Sequence, residues 1–78
     1  MNKDQQLAHL MRMFEIAQTV VSNGGMGVLI TEKNVYNMLK EMTINAGYKD
    51  VDKYWTDPDS PESRRLQQEK ASQPSPEE

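Results

Sequence analysis

The stretch SNGGMGVLITE, residues 22–32, decides the fold because it must separate two helices. Three glycines within four residues make a helix interior costly, since glycine loses more backbone entropy on folding than any other residue. Asn23 and Gly24 tolerate the left-handed conformation that ends many helices. Thr31 is a favourable N-cap for a new helix. The stretch therefore predicts a helix–loop–helix, with the Val-Leu-Ile run at residues 28–30 tucked under the helices.

Apolar residues on both sides of this loop recur with the period of an α-helix. Before the loop they are Leu7, Leu10, Met11, Phe14, Ala17 and Val21, and after it Val35, Met38, Leu39 and Met42. Tyr36 falls on the flank of the second set, and Lys33 falls on its solvated side. We therefore predict an all-α fold with helices at residues 4–22 and 32–46.

The first helix carries a second apolar line beside its main one. Met13, Ile16 and Val20 follow helical spacing and widen the apolar arc beyond what one neighbouring helix would cover. Methionine suits adaptable contacts, and the chain holds six methionines. These three residues are therefore the candidate interface of the molecule.

A cluster of aromatic residues follows the second helix, within GYKDVDKYW at residues 47–55. Gly47 fits the position after a helix end, where the next residue, Tyr48, commonly packs back onto the last turn. Asp50 is placed to cap a short helical turn at residues 51–55. We call Gly47, Tyr48, Val51, Tyr54 and Trp55 the aromatic hook. Inward-facing rings would close the end of the two-helix core, and an exposed aromatic binding patch is the alternative.

The remainder of the chain is polar. Ser60 as N-cap and Pro61 as first helical residue signal a helical start in a polar extension, residues 59–71. Leu66 is the only large apolar residue of this extension, so a helix there has little to bury. Residues 72–78 contain two prolines and are expected to be disordered. The folded helical domain is therefore expected to occupy residues 1–58.

Composition excludes several classes of function. The 78 residues carry a net charge of −3 with scattered basic residues, which argues against sequence-specific binding of nucleic acid. No apolar run approaches the roughly 18–20 residues of a membrane span, and no signal-peptide pattern begins the chain. A soluble, cytoplasmic chain is the default expectation. With no cysteine and one histidine, neither a disulfide nor a structural zinc site is expected.

No catalytic or ligand-binding motif emerges. His9 is the only candidate base, and no carboxylate on its helix is spaced to orient it. The glycine-rich loop lacks the spacing of a P-loop and the Lys-Ser or Lys-Thr that ends one. Residues 50–61 hold several carboxylates, but aromatic residues occupy positions where an EF-hand needs a ligand and a glycine. We expect no enzyme, no metal and no cofactor.

The order of these features resembles one protein family. The matching residues are Asn34-Val35-Tyr36, Gly47-Tyr48, Tyr54-Trp55 and Asp57-Pro58, followed by the polar run RRLQQEK. The chain from about Phe14 to Lys70 is similar to a segment near the C-terminus of portal proteins, the head-to-tail connectors of short-tailed phages.

The resemblance implies a structural protein of the virion, assembled as a dodecamer at one capsid vertex, through which DNA is packaged and ejected. It places the segment in the helical crown of that ring and implies no catalysis, because the packaging motor is a separate terminase. The residues that build the ring body are missing, so the chain is expected to be a segment of a larger protein. A neighbouring subunit or the rest of its own chain would cover Met13, Ile16 and Val20, and the isolated chain is expected to be a monomer.

A different class of function is a free-standing helical adaptor or regulator. Such a protein would offer an apolar groove to a helix of its partner. A specific binding partner for the isolated chain would favour this alternative.

Overall fold

A computed structural model describes residues 2–72 of the chain. Three α-helices follow one another: α1 at Lys3–Ser22, α2 at Glu32–Asn45 and α3 at Pro61–Ser72. A short 3₁₀ turn lies between the last two, at Val51–Lys53. The described residues form no strand, and the predicted all-α class is confirmed. Of the segment expected to be disordered, residues 73–78 lie outside the described part.

Both long helices begin with a reciprocal capping box. The side chain of Asn2 accepts the N–H of Gln5 at 2.8 Å, and the Gln5 side chain accepts the N–H of Asn2 at 3.4 Å. Thr31 and Asn34 repeat the arrangement at 3.1 and 2.9 Å before α2. Each box satisfies two donors that a helix start leaves unpaired, so local sequence fixes where both helices begin.

Both long helices also end in a Schellman motif, as their glycines predict. After α1, Gly24 takes a φ of +90°, and the next N–H, of Gly25, reaches the carbonyl of Val20 at 2.8 Å. After α2, Gly47 takes a φ of +100°, and the N–H of Tyr48 reaches the carbonyl of Thr43 at 3.1 Å. Only glycine adopts such φ values without steric cost, so these residues determine where the chain turns.

The two long helices pack against each other as an antiparallel hairpin with a thin core. Residues near the start of α1 share a groove with residues at the end of α2, and Val21 shares one with Val35. Among hydrophobic residues of the described part, only Ala17 and Tyr36 are buried. Tyr36 was expected on the flank of α2, so its burial corrects that prediction.

The loop between α1 and α2 departs from the sequence-based expectation. Val28 is 81% exposed and Leu29 is 74% exposed, and only Ile30 of that run is partly buried. The carbonyl of Gly25 accepts the N–H groups of all three residues, at 2.8–3.2 Å. The loop thus closes through its own backbone, and its side chains are not needed to hold it. The prediction that residues 28–30 tuck under the helices is wrong for Val28 and Leu29.

The third helix stands apart from the hairpin. No Cα atom of α3 comes within 8 Å of one in α1 or α2. Ser60 caps the helix by accepting the N–H of Ser63 at 3.1 Å, as its position predicts. Along the exposed surface, Arg65 pairs with Glu62 and Glu69. The helix therefore depends on local interactions, and Leu66 is left exposed.

Candidate interaction surfaces

The candidate interface on α1 is exposed in the hairpin. Met13 and Ile16 are each 52% exposed, and Val20 is partly buried. We call these three residues the outer strip. Fully burying a Met, Ile or Val side chain contributes about 1.5–3 kcal/mol relative to leaving it exposed. A partner that covered the outer strip would therefore gain part of that free energy.

The outer strip continues onto the loop. Val20 lines one shallow concavity together with Val28 and Leu29. We call Val28 and Leu29 the tip. Residues 16–31 contain no Asp, Glu, Lys or Arg, in a chain whose charged fraction is 27%. The sequence predicted the strip but not the tip. The missing charges over these sixteen residues were the signal that could have revealed it.

The aromatic hook forms a turn that is attached to α2 by its tryptophan. The indole Nε1–H of Trp55 donates to Thr43 Oγ1 at 2.9 Å, and the Thr43 hydroxyl donates to the Leu39 carbonyl at 2.7 Å. The rings of Tyr48 and Tyr54 meet edge to face, with centroids 5.6 Å apart. Nevertheless the three rings stay 39–56% exposed. The rings lie against the end of the hairpin without being enclosed by it.

The capping role expected for Asp50 is not observed. Its side chain caps nothing, and its backbone carbonyl instead accepts the N–H of Lys53 at 3.1 Å. The neighbouring carboxylate of Asp52 has a role that the sequence did not reveal, because it accepts the phenol O–H of Tyr36 at 3.2 Å. Burial, and then the charge of Asp52, raises the pKa of Tyr36. The turn is thereby tied to the most buried aromatic ring.

A groove opens between the hook and the first half of α1. Its volume is about 430 Å³, which lies within the range of small-molecule and peptide pockets. The side chains that line it are all uncharged: Leu7, Met11, Met42, Thr43, Ala46, Tyr48, Tyr54 and Trp55. Aromatic residues and methionine are enriched at protein interfaces, so the groove has the composition of a contact surface.

Lys33 holds the segment that leads to α3, although the sequence placed it on the solvated side of α2. Its Nζ lies 3.0 Å from Asp57 Oδ1, 3.4 Å from Asp59 Oδ2 and 5.2 Å from the centre of the Tyr36 ring. The hydrogen bond with Asp57 raises the pKa of Lys33. The hydrogen bond from the N–H of Asp59 lowers the pKa of Asp57, and the hydrogen bond from Lys33 lowers it further. The Lys33 side chain stays 41% exposed, as a position on the solvated side of α2 predicts, but its partner lies 24 residues away and was not predicted.

The described side chains form surfaces for contact. His9 is exposed on α1, and residues 2–72 contain no group of three or more His, Asp or Glu side chains placed to hold a metal ion. None of the helices described is long and apolar enough to cross a membrane. The uncharged outer strip, tip and groove define a small helical segment with a thin core and several exposed apolar surfaces.

Comparison with known families agrees with this class. The chain belongs to the phage SU10 portal protein family, whose model matches residues 1–78. Among curated proteins, none matches the chain. Portal proteins are structural proteins of the phage particle that assemble as oligomeric rings. The resemblance inferred from the helices and the hook is thus confirmed.

Proposed function

We propose that the chain is a segment of a portal subunit, within the ring through which DNA is packaged into and ejected from the capsid. The ring sits at one capsid vertex and contains twelve subunits, as the resemblance to connectors of short-tailed phages implies. The family match over residues 1–78 supports this assignment. The exposed apolar residues of the hairpin also support it, because they could pack against other subunits of an assembly.

The observation that carries the proposal is the exposure of the outer strip. Met13 and Ile16 remain half exposed although they lie on the longest helix of a thin core. In a ring, each subunit meets its neighbours through large surfaces, and apolar side chains at the centre of such surfaces supply much of the association free energy. The outer strip is therefore assigned to the contact with a neighbouring subunit.

The proposed role involves no catalytic step and no cofactor. DNA passes through the assembled ring, and this segment belongs to the helical crown of the ring, as the resemblance implies, without reading the DNA sequence. The net charge of −3 over the chain fits a segment that does not bind the phosphate backbone tightly.

The test places a charge in the outer strip of the intact portal subunit. Ile16→Asp would bury an unpaired carboxylate in the contact, which is strongly unfavourable, so ring assembly should fall sharply. Ala8→Asp is the matched control, because Ala8 is exposed on the same helix but outside the strip. Size-exclusion chromatography and electron microscopy would count rings, and circular dichroism would verify that both variants fold. Normal rings from Ile16→Asp would contradict the assignment of the outer strip to the subunit contact, and an intact natural subunit that forms no rings would contradict the proposed function.

A further inference from the structure

The hairpin carries two apolar surfaces, and they lie at opposite ends. The tip, Val28 and Leu29, projects from the α1–α2 loop and contains the most exposed large apolar side chains of the described residues. The groove lies at the other end, between the start of α1 and the end of α2. Because the helices are antiparallel, the tip of one chain is held away from its own groove.

Both surfaces are free of charge. Residues 16–31, which include the tip, contain no ionisable acid or base, and no charged side chain lines the groove. Interface centres are depleted in charged residues relative to the rest of a protein surface. In a chain with 27% charged residues, the tip and the groove therefore both have the composition of an interface centre.

The tip is also organised before any partner arrives. The Gly25 carbonyl accepts three N–H groups from residues 28–30, and the N–H of Gly27 donates to the Ile30 carbonyl at 2.7 Å. A segment that is rigid in its free form loses less conformational entropy on binding. The loop thus presents Val28 and Leu29 as a fixed apolar projection, suited to insertion into a concave surface.

We propose that the tip of one copy inserts into the groove of the next copy, in a head-to-tail contact. The proposal rests on the ring-forming function proposed above. A ring requires a heterologous interface, in which one patch of a subunit meets a different patch of its neighbour. The hairpin provides such a pair, since the tip is exposed and aliphatic whereas the groove is rich in aromatic and methionine side chains.

Directed cross-linking tests this contact, because the chain has no native cysteine. A chain carrying Leu29→Cys is mixed with one carrying Met11→Cys, a residue of the groove, and the mixture is oxidised mildly at high concentration. The proposal predicts disulfide heterodimers several-fold above the statistical proportion. In the control mixture Met11→Cys is replaced by Ala8→Cys, which is exposed on α1 outside the groove. Heterodimers should then form only in the statistical proportion.

The single tryptophan provides an independent readout, because Trp55 lines the groove. Insertion of an aliphatic tip should shift its fluorescence to shorter wavelength as the concentration of the chain rises. Leu29→Asp should abolish the shift, and Ala8→Asp should preserve it. A shift that persists in Leu29→Asp would overturn the proposal. So would a heterodimer yield no higher than the statistical proportion, or an excess of disulfide homodimers of the Leu29→Cys chain.

The outcomes separate this contact from the function on which it rests. If Ile16→Asp prevents ring assembly while the cross-link yield is statistical, the ring function stands and the tip-to-groove contact is wrong. If heterodimers are enriched while Ile16→Asp rings assemble normally, the contact stands and the assignment of the outer strip is wrong.

Discussion

The two ends of the helical hairpin are closed by different means. At the loop end, residues 22–31, hydrogen bonds within the backbone close the turn, and Val28 and Leu29 stay exposed. At the hook end, residues 47–55, a side-chain bond from Trp55 to Thr43 joins the turn to α2. Farther along the chain, Lys33 in the first turn of α2 bonds to Asp57. The backbone-closed turn leaves Val28 and Leu29 almost fully exposed, whereas the hook uses Trp55 for its own fold and leaves its rings partly exposed.

This difference explains why the two ends respond differently to substitution. The loop end depends on close backbone approach and therefore on the absence of a side chain at a single glycine. The hook end distributes its stability over several side-chain hydrogen bonds, each of which contributes about 1 kcal/mol or less to the free energy of unfolding. The expected losses in the free energy of unfolding are therefore largest at that glycine and smaller for the side-chain hydrogen bonds.

The largest effect is expected at Gly25, where a Cβ would lie 2.3 Å from Val20 Cγ1 and 2.9 Å from the Val20 carbonyl oxygen. The valine side chain can rotate, but the carbonyl belongs to the last turn of α1. Gly25→Ala should lower the free energy of unfolding by about 2–3 kcal/mol, measured by urea unfolding followed by circular dichroism.

Gly24→Ala is the matched control for Gly25→Ala. Its Cβ would meet nothing within 4 Å, so only the positive φ is unfavourable, at about 1 kcal/mol. Equal losses at the two positions would show that close packing against Val20 does not hold the loop end.

An intermediate effect is expected at the hook end. Trp55→Phe removes the N–H that donates to Thr43 Oγ1, and it should lower the free energy of unfolding by about 1 kcal/mol. A double-mutant cycle with Thr43→Val separates this bond from the loss of ring area. A coupling energy near zero would mean that side-chain bonding does not distinguish the hook end from the loop end.

The smallest effect concerns the pair of Lys33 and Asp57. Since the fold lowers the pKa of Asp57, its stabilising effect is complete above the ordinary carboxyl value of about 4 and is lost as pH falls below it. Since the fold raises the pKa of Lys33, its contribution is complete below about 10 and is lost as pH rises further. Between these limits the contribution of the pair should not vary with pH.

The measurement compares the melting temperatures of the natural chain and Asp57→Asn across pH. Asparagine keeps an oxygen for the N–H of Asp59 but removes the charge that attracts Lys33. The difference should be a few degrees Celsius at most near neutral pH, because the pair is partly exposed, and should vanish in acid. A difference in melting temperature that persists unchanged below pH 3 would show that the charge of Asp57 contributes nothing to the stability of its bond with Lys33.

Local signals predicted most of the fold. Capping residues and glycines mark where α1 and α2 begin and end, because these effects act within four or five residues. Burial was less predictable, since it depends on how one helix is rotated against another. The sequence pattern therefore predicts Tyr36 on a flank, although the residue is buried. It predicts Val28 inside, although the backbone of its loop leaves this side chain exposed.

The interaction surfaces were predictable in part. The outer strip follows from helical spacing alone, because Met13, Ile16 and Val20 lie on a face that the main apolar line does not need. The groove was missed because it combines residues from the start of α1 with residues from the hook, 37 to 48 positions away. The bond between Lys33 and Asp57 was missed for the same reason.

The separation of α3 from the hairpin has a consequence for cooperativity. A helix of 12 residues that packs closely on no other helix is marginally stable in water, and α3 is supported mainly by local bonds, namely its N-cap, the ion pairs of Arg65 and the hydrogen bonds of Gln67. Its melting should therefore precede that of the hairpin and expose little apolar surface. Amide hydrogen exchange would be fast along α3 and slower in α1 and α2, so the chain unfolds as two units rather than one.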